Sequence, residues 1–151
     1  MDRVSHFMEP AVATFRLPAP RTPIIGRHDE LARITRLIDD GQRLVTLVGA
    51  GGVGKTRLAL AVAEAQRSRY QGRVGWVSLG ELTEPDLLLD AIARSLDTGT
   101  SGRSALDALV AALGAEPALL VIDNMEQLAN AAGNLADLLD RAPELSLLVT
   151  S

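Results

Sequence analysis

Apolar residues along the chain occur in two kinds of pattern, short apolar-rich runs and helical spacing. The short runs predict strands at residues 43–48, 73–79, 118–122 and 145–150, of which 118–122 is apolar throughout. Between them, apolar residues recur every three or four positions, which predicts amphipathic helices. Strands that are apolar on both faces and alternate with helices indicate an α/β domain of three layers, with a mainly parallel sheet of about four strands covered on each side.

Five helices are predicted, each by an apolar stripe. The stripes are Leu31/Ile34/Ile38, Leu58/Val62/Ala65, Leu88/Ile92/Leu96, Leu106/Leu109/Val110/Leu113 and Leu135/Leu138/Leu139. Two of the helices have N-terminal signals: Thr83 precedes Asp86 by three residues, and Ser104 precedes Asp107 in the same way, as in a capping box. Gly114 is the expected C-terminal cap of the helix that Ser104 opens.

Residues 1–23 differ from the rest of the chain. They contain isolated apolar residues and end in a stretch with prolines at positions 18, 20 and 23, a pattern that favours neither a helix nor a sheet ladder. We expect a flexible N-terminal tail. The alternative is that Phe7 and Phe15, the two phenylalanines of the chain, dock on the folded domain at residues 24–151.

The composition of the chain argues against several classes of function. The chain has 151 residues, 47% of them hydrophobic, a formal net charge of −4 and no cysteine. The net negative charge argues against a nucleic-acid-binding surface, and the lack of cysteine excludes a disulfide framework or a thiolate metal site. No signal peptide or membrane span is recognisable, so we expect a soluble cytoplasmic protein without direct nucleic-acid or membrane contact.

The segment GAGGVGKT, residues 49–56, lies between the first predicted strand and a helix. It satisfies the phosphate-loop pattern in its required context. Glycines allow backbone N–H groups to face one anion, and the helix adds its positive end. Lys55, the only lysine of the chain, is expected to reach the β- and γ-phosphates, and Thr56 to bind Mg²⁺. The phosphate-binding residues predicted here are Gly49, Gly51, Gly52, Val53, Gly54, Lys55 and Thr56.

The run ALLVID, residues 118–123, supplies the second half of this site. Ligands of open α/β sheets bind at the carboxyl ends of the strands, where Asp123 stands, so Asp123 is predicted to order the Mg²⁺ and its waters. Asn124 follows, where many ATPases carry the carboxylate that activates water. An amide cannot accept that proton, and Glu126 is either a substitute base or a solvated turn residue.

Taken together, Ile25-Gly26-Arg27, GAGGVGKT, LLVIDN and LLVTS resemble the NB-ARC type of STAND nucleotide switch, most of all as it occurs in bacterial multidomain transcriptional regulators of the LuxR and antibiotic-regulator kinds. The resemblance covers about residues 22–151. It implies a P-loop NTPase fold with the sheet order 43–48, 145–150, 118–122, 73–79. It also implies that Ile25, Gly26, Arg27 and Arg57 belong to the nucleotide site. The family continues into a sensing arginine, a fifth strand and a helical lid, so we expect an incomplete domain.

The function that this resemblance implies is an ADP- or ATP-binding switch that works with other domains or proteins of a regulatory system and hydrolyses ATP slowly at most. Two alternatives remain open. One is an autonomous P-loop ATPase or kinase, and the other is an interaction module that keeps the fold without binding nucleotide. A GTPase is disfavoured because guanine recognition uses an Asn-Lys-x-Asp motif, and the chain has no second lysine.

Overall fold

The four apolar runs form one parallel sheet in the computed structural model. The structure describes residues 12–19, 26–49, 54–80, 82–99 and 102–151, apart from the side chains of residues 127–129. The strands are β1 (Leu44–Leu47), β2 (Val74–Ser78), β3 (Ala118–Asp123) and β4 (Leu145–Thr150). Their order is β1-β4-β3-β2, and each neighbouring pair is parallel. The predicted α/β class and the predicted strand order are both confirmed.

Helices cover both faces of the sheet. They are α1 (His28–Asp39), α2 (Lys55–Gln66), α3 (Leu88–Ser95), α4 (Ala105–Leu113) and α5 (Ala132–Arg141). Side chains of β3 alternate between two cores, with Leu119 and Val121 packed towards α1 and α2, and Leu120 and Ile122 towards α3, α4 and α5. This is why β3 is buried along its whole length. No helix in the described ranges is long and apolar enough to cross a membrane.

Three helix details test the predicted patterns. Ser104 caps α4 as expected, its Oγ accepting a hydrogen bond of 3.1 Å from the Asp107 N–H. The Thr83 signal is wrong, because residues Pro85–Leu87 form a single 3₁₀ turn without a side-chain cap and α3 begins only at Leu88. The assignment of Ala65 to a buried stripe is also wrong: Ala65 is exposed, and α2 buries Gln66 instead.

Residues 12–19 contact the domain at its β2 edge. The Thr14 N–H donates to the Leu96 carbonyl at 2.8 Å. Phe15 packs with the core on the α3 side, Leu17 packs with the core on the α2 side, and the Arg73 guanidinium stands 4.8 Å from the Phe15 ring centroid. The docking considered for Phe15 is therefore seen, whereas Phe7 lies outside the described residues. That residues 1–23 as a whole form a flexible tail stays a prediction.

Arg43 joins the end of α5 to the start of β1. Its Nη2 donates to the carbonyls of Leu139 at 2.7 Å and Ala142 at 2.6 Å, and its Nε donates to the Leu145 carbonyl at 3.0 Å. These bonds satisfy carbonyl groups at a helix C-terminus, where a cation also favours the helix dipole. They hold the connection between α5 and β4 against the start of β1, and so link strands β1 and β4.

Candidate functional site

The N-terminus of α2 faces the carboxyl edge of the sheet. Gly54 is its N-cap residue, with φ 79° and ψ 25°, a left-handed conformation that glycine adopts without a steric penalty. Among the described residues, no side-chain hydrogen bond caps this helix end. Its first-turn N–H groups are therefore suited to an external anion, as at other helix N-termini. Gly49 is exposed after β1. The predicted site residues Gly51, Gly52 and Val53 lie outside the described part of the chain.

Lys55 joins the carboxyl ends of β1 and β4. Its Nζ donates hydrogen bonds to the Gly49 carbonyl at 2.5 Å and to the Ser151 carbonyl at 2.7 Å. Gly49 follows β1 and Ser151 follows β4, so the ammonium lies between neighbouring strands at the carboxyl edge. An ammonium has three hydrogen-bond donors. The two backbone carbonyls are neutral acceptors, and a charged phosphate oxygen would form a stronger hydrogen bond with the ammonium than either of them does.

Thr56 and Asp123 meet across the sheet. The Thr56 hydroxyl lies 3.0 Å and 3.2 Å from the two carboxylate oxygens of Asp123. Asp123 is only 4% exposed. Thr150, at the end of β4, donates from its hydroxyl to Asp123 Oδ1 at 2.6 Å and accepts from the Asn124 N–H at 2.8 Å. The carboxylate is therefore held by hydroxyls from two elements.

This oxygen set fits Mg²⁺. The ion prefers octahedral oxygen ligands and is commonly bound through one or two protein groups together with phosphates and water. Thr56 supplies a hydroxyl and Asp123 a carboxylate. Among the described residues there is no cluster of three or more His, Cys, Asp or Glu side chains that would hold an ion without phosphates. A hydroxyl and a carboxylate supply two oxygen ligands, and Mg²⁺ commonly takes its remaining ligands from phosphates and water.

Asn124 and Glu126 follow Asp123 in the segment after β3. Asn124 has a left-handed backbone, φ 66°, that ends β3, and its side-chain amide lies 3.7 Å from the position that a Cβ on Gly80 would take. Glu126 is exposed in the 3₁₀ helix Met125–Ala131. Within the described residues, no hydrogen bond connects the Glu126 side chain with Lys55, Thr56 or Asp123. The role of Glu126 as a base stays a prediction.

The segment before α1 approaches the phosphate loop through Arg27. Its Nη2 and Nε donate to the two carboxylate oxygens of Glu30 at 2.7 Å and 3.1 Å. A Cβ placed on Gly54 would stand 2.8 Å from Arg27 Nη1, so the guanidinium lies against the backbone at the start of α2. Gly26 and Arg57 are exposed on either side, and Ile25 lies outside the described residues.

The hydrogen bond between Arg27 and Glu30 also shifts the pKa of both side chains. It is the largest cause that holds the pKa of the Glu30 carboxyl below its ordinary range and raises the pKa of Arg27. Both side chains are therefore charged across the neutral range.

Two residues near the site were not predicted as members of it. Thr150 looked like the end of an apolar strand, although a polar residue there reaches the same sheet edge as Asp123, which is a usable signal. Glu30 looked like an ordinary acid in the first turn of a helix. Its pairing with Arg27 depends on side-chain geometry that spacing alone does not give.

The chain is similar to known proteins in sequence and in fold. A family model described as an AAA domain matches residues 38–149. A protein of Mycobacterium tuberculosis (strain ATCC 25618 / H37Rv), whose name describes it as an HTH-type transcriptional regulator, is 41% identical over 111 residues, which are 72% of this chain and 12% of that protein. Disease resistance protein SUMM2 of Arabidopsis thaliana is 30% identical over 117 residues, 71% of this chain and 13% of that protein.

Among solved structures, Cdc6p of Pyrobaculum aerophilum superposes with a TM-score of 0.67 at 20% identity, over 87% of this chain and 40% of that chain. This similarity shows the shared fold alone. The chain spans about an eighth of the length of the regulator that it matches.

Proposed function

The chain belongs to the AAA domain family, and from that premise we propose that it binds ADP or ATP, with Mg²⁺, at residues 49–56 and at Asp123. One observation carries the proposal: Lys55 and Thr56 lie at the carboxyl edge of the sheet, at the N-terminus of α2, together with Asp123, which is 67 residues after Thr56 in sequence. A cation, a metal-binding hydroxyl and a carboxylate are the groups that a magnesium polyphosphate requires.

Each residue has a role in this proposal. The N–H groups from Gly49 to Thr56, with Gly51, Gly52 and Val53 among them, hold the α- and β-phosphates. Lys55 exchanges its bonds to the carbonyls of Gly49 and Ser151 for bonds to phosphate oxygens. Thr56 and Asp123 hold Mg²⁺ directly or through water. Ile25, Gly26, Arg27 and Arg57 complete the nucleotide site from the flanking segments.

We further propose that the domain is a nucleotide-dependent switch of the NB-ARC and STAND type, working in the cytoplasm with other domains or proteins of a regulatory system. The sequence resemblance and the similarity to a protein named as a transcriptional regulator support this role. Hydrolysis should be slow because Asn124 cannot accept a proton from water and Glu126 stands exposed in the following turn.

Calorimetric titration with ADP tests the binding site. We expect Lys55→Ala to weaken ADP binding at least about tenfold, which corresponds to about 1.4 kcal/mol. Arg67→Ala is the matched control, because it removes a cation just beyond the other end of α2 and should leave the affinity unchanged. Equal ADP affinity in the wild type and Lys55→Ala would refute the phosphate-loop assignment. Absence of binding in all three proteins would favour an interaction module that keeps only the fold.

Single-turnover hydrolysis at saturating Mg-ATP separates a switch from an autonomous ATPase. The switch predicts a rate far below the 1 s⁻¹ or so that is ordinary for enzymes. It also predicts that ADP binds at least as tightly as ATP. A rate of about 1 s⁻¹ or faster that Lys55→Ala abolishes would replace the switch with an autonomous ATPase, with Glu126 as the first candidate for its base.

A further inference from the structure

We infer that the β2 edge of the sheet is a docking site for an extended protein segment with an aromatic anchor, and that residues 13–17 of this chain occupy the site as an exchangeable ligand. A partner that fits the site presents an aromatic, a basic and an aliphatic residue in succession, as Phe15, Arg16 and Leu17 do. The strand order places β2 at the edge of the sheet. The inference does not depend on the proposed function.

The cation that faces Phe15 is positioned by the domain. The Arg73 guanidinium stands 4.8 Å from the Phe15 ring centroid, a distance at which a cation attracts the face of an aromatic ring. Arg73 also donates to the carbonyls of Leu113 at 2.7 Å and Pro117 at 3.2 Å. Because these two acceptors lie outside residues 12–19, the position of the guanidinium does not depend on the docked segment.

Gly75 provides the space for the phenyl ring. A Cβ on Gly75 would lie 3.4 Å from Phe15 Cδ1 and only 3.0 Å from the side chains of Leu96 and Leu120, which are both buried. Glycine within a strand often marks such a close approach by another group. The missing side chain on β2 therefore leaves an apolar surface against which an aromatic ring packs.

The backbone of the segment also has an acceptor in the domain. The Thr14 N–H donates to the Leu96 carbonyl at 2.8 Å. Leu96 is the C-terminal cap residue of α3, and the last carbonyls of a helix have no partner within the helix. An extended segment that places its ring beside Gly75 thus satisfies a helix-end carbonyl with the preceding N–H.

The residues after the ring extend the contact across the edge. The Arg16 guanidinium forms an ion pair of 2.8 Å with Asp97, which follows α3. Leu17 packs with the core on the α2 side, whereas Phe15 packs with the core on the α3 side. The segment consequently crosses the β2 edge from one face of the sheet to the other, and an aliphatic residue two positions after the aromatic one reaches the second face.

These contacts are few and partly exposed, so the segment is suited to exchange. Phe15 and Leu17 are only partly buried, and the side chains of Arg16 and Asp97 are 69% and 52% exposed, where an ion pair contributes little. Between residues 12–19 and β2, all of which the structure describes, there is no backbone hydrogen bond. Ordering the segment costs conformational entropy, and its covalent connection offsets this by raising its effective concentration at the site.

The alternative is a segment that stays docked and serves only to cover the edge strand, as other sheets cover their edges. It would make the same contacts in the folded chain. Binding of a second, unconnected copy of the segment distinguishes the two, because only an exchangeable ligand leaves the site open to it.

The test measures binding of a fluorescein-labelled peptide with the sequence of residues 12–19 to the full chain by fluorescence anisotropy. We expect Phe15→Ala in the chain to increase the affinity for the peptide at least about tenfold over the wild type, in which the connected segment competes. Thr14→Pro removes the N–H that donates to the Leu96 carbonyl and should shift the affinity in the same direction. Val12→Ala is the matched control, because Val12 is 65% exposed in the same segment, and this variant should bind the peptide as the wild type does. A peptide that itself carries Phe15→Ala should bind none of these chains.

Equal affinity of the wild type and Phe15→Ala for the peptide would overturn the inference, because the connected segment would then not occupy the site of the peptide. Absence of peptide binding by Phe15→Ala with the circular dichroism spectrum of the wild type would overturn it too. If Phe15→Ala alone loses that spectrum, Thr14→Pro decides by the same criteria. Loss of the spectrum in both variants would make the segment an inseparable part of the fold and would exclude exchange.

Discussion

Thr150→Val replaces a buried hydroxyl by a methyl group of similar size. We expect it to lower the free energy of unfolding, because the hydroxyl makes two hydrogen bonds at the candidate site. Thr150 is 1% exposed. Its hydroxyl is the acceptor for the Asn124 N–H and the shortest donor to the Asp123 carboxylate. The substitution removes both bonds while leaving the packing volume nearly unchanged.

The magnitude follows from the two bonds. A buried N–H without an acceptor costs about 1–3 kcal/mol, and a hydrogen bond to a charged group is worth about 1.5–3 kcal/mol. The added methyl group recovers part of this, so we expect a net loss of about 2–4 kcal/mol in the free energy of unfolding. With a urea m-value of about 2 kcal/mol/M, the midpoint should fall by about 1–2 M.

Urea unfolding followed by circular dichroism measures this change. Thr46→Val is the matched control, because Thr46 is exposed on the neighbouring strand β1 and should change stability by less than about 0.5 kcal/mol. A Thr150→Val midpoint equal to that of Thr46→Val would refute the reasoning, since it would mean that neither bond contributes to the folded state.

Three further predictions concern other contacts. Asp123→Asn should reduce mainly the Mg²⁺-dependent gain in ATP affinity, measured by calorimetry with Mg²⁺ and with a chelator; equal losses in both would make Asp123 structural. Arg43→Met should lower the free energy of unfolding by about 2–4 kcal/mol, because three carbonyls lose a charged donor, and a change below about 0.5 kcal/mol in urea unfolding would contradict this. The hydrogen bond from Arg141, and next the one with Ser104, hold the pKa of Asp107 below its ordinary range. The ionised Asp107 carboxylate therefore stabilises the fold above the unfolded carboxyl pKa of about 4, and this stabilisation is lost as pH falls through the lowered pKa. Asp107→Asn should lower the Tm at about pH 6, and the difference from the wild type should shrink near pH 3. A difference that stays constant with pH would argue against the ion pair.

The sequence predicted the sheet well because its signal is strong. A run such as residues 118–122, apolar on both faces, has few stable environments apart from the middle of a covered parallel sheet. The order of the four strands was implied by the family resemblance, and it is the order that the structure has. The meeting of Thr56 with Asp123 followed from the same logic, because both stand at the carboxyl edge.

Details that depend on helix rotation or on single side chains were harder to predict. The choice between Ala65 and Gln66 as the buried residue of α2 depends on where α1 packs, and Asp39 receives the Gln66 amide at 3.3 Å. The Thr83 cap failed because Pro85 begins a 3₁₀ turn before α3. Phe15 contacts the Arg73 guanidinium, which precedes β2 and lies 58 residues later in the sequence. No local sequence pattern predicts a contact over that distance.

The most direct test of the account is an amide NMR titration of the ¹⁵N-labelled chain with ADP in the presence of Mg²⁺. We predict that the largest shifts occur at Gly49, Gly54, Lys55 and Thr56, that they saturate at one ADP per chain, and that they are lost in Lys55→Ala. Saturating ADP that leaves these four amide signals unmoved, or moves them equally in Lys55→Ala, would contradict the claim that this loop is the nucleotide site.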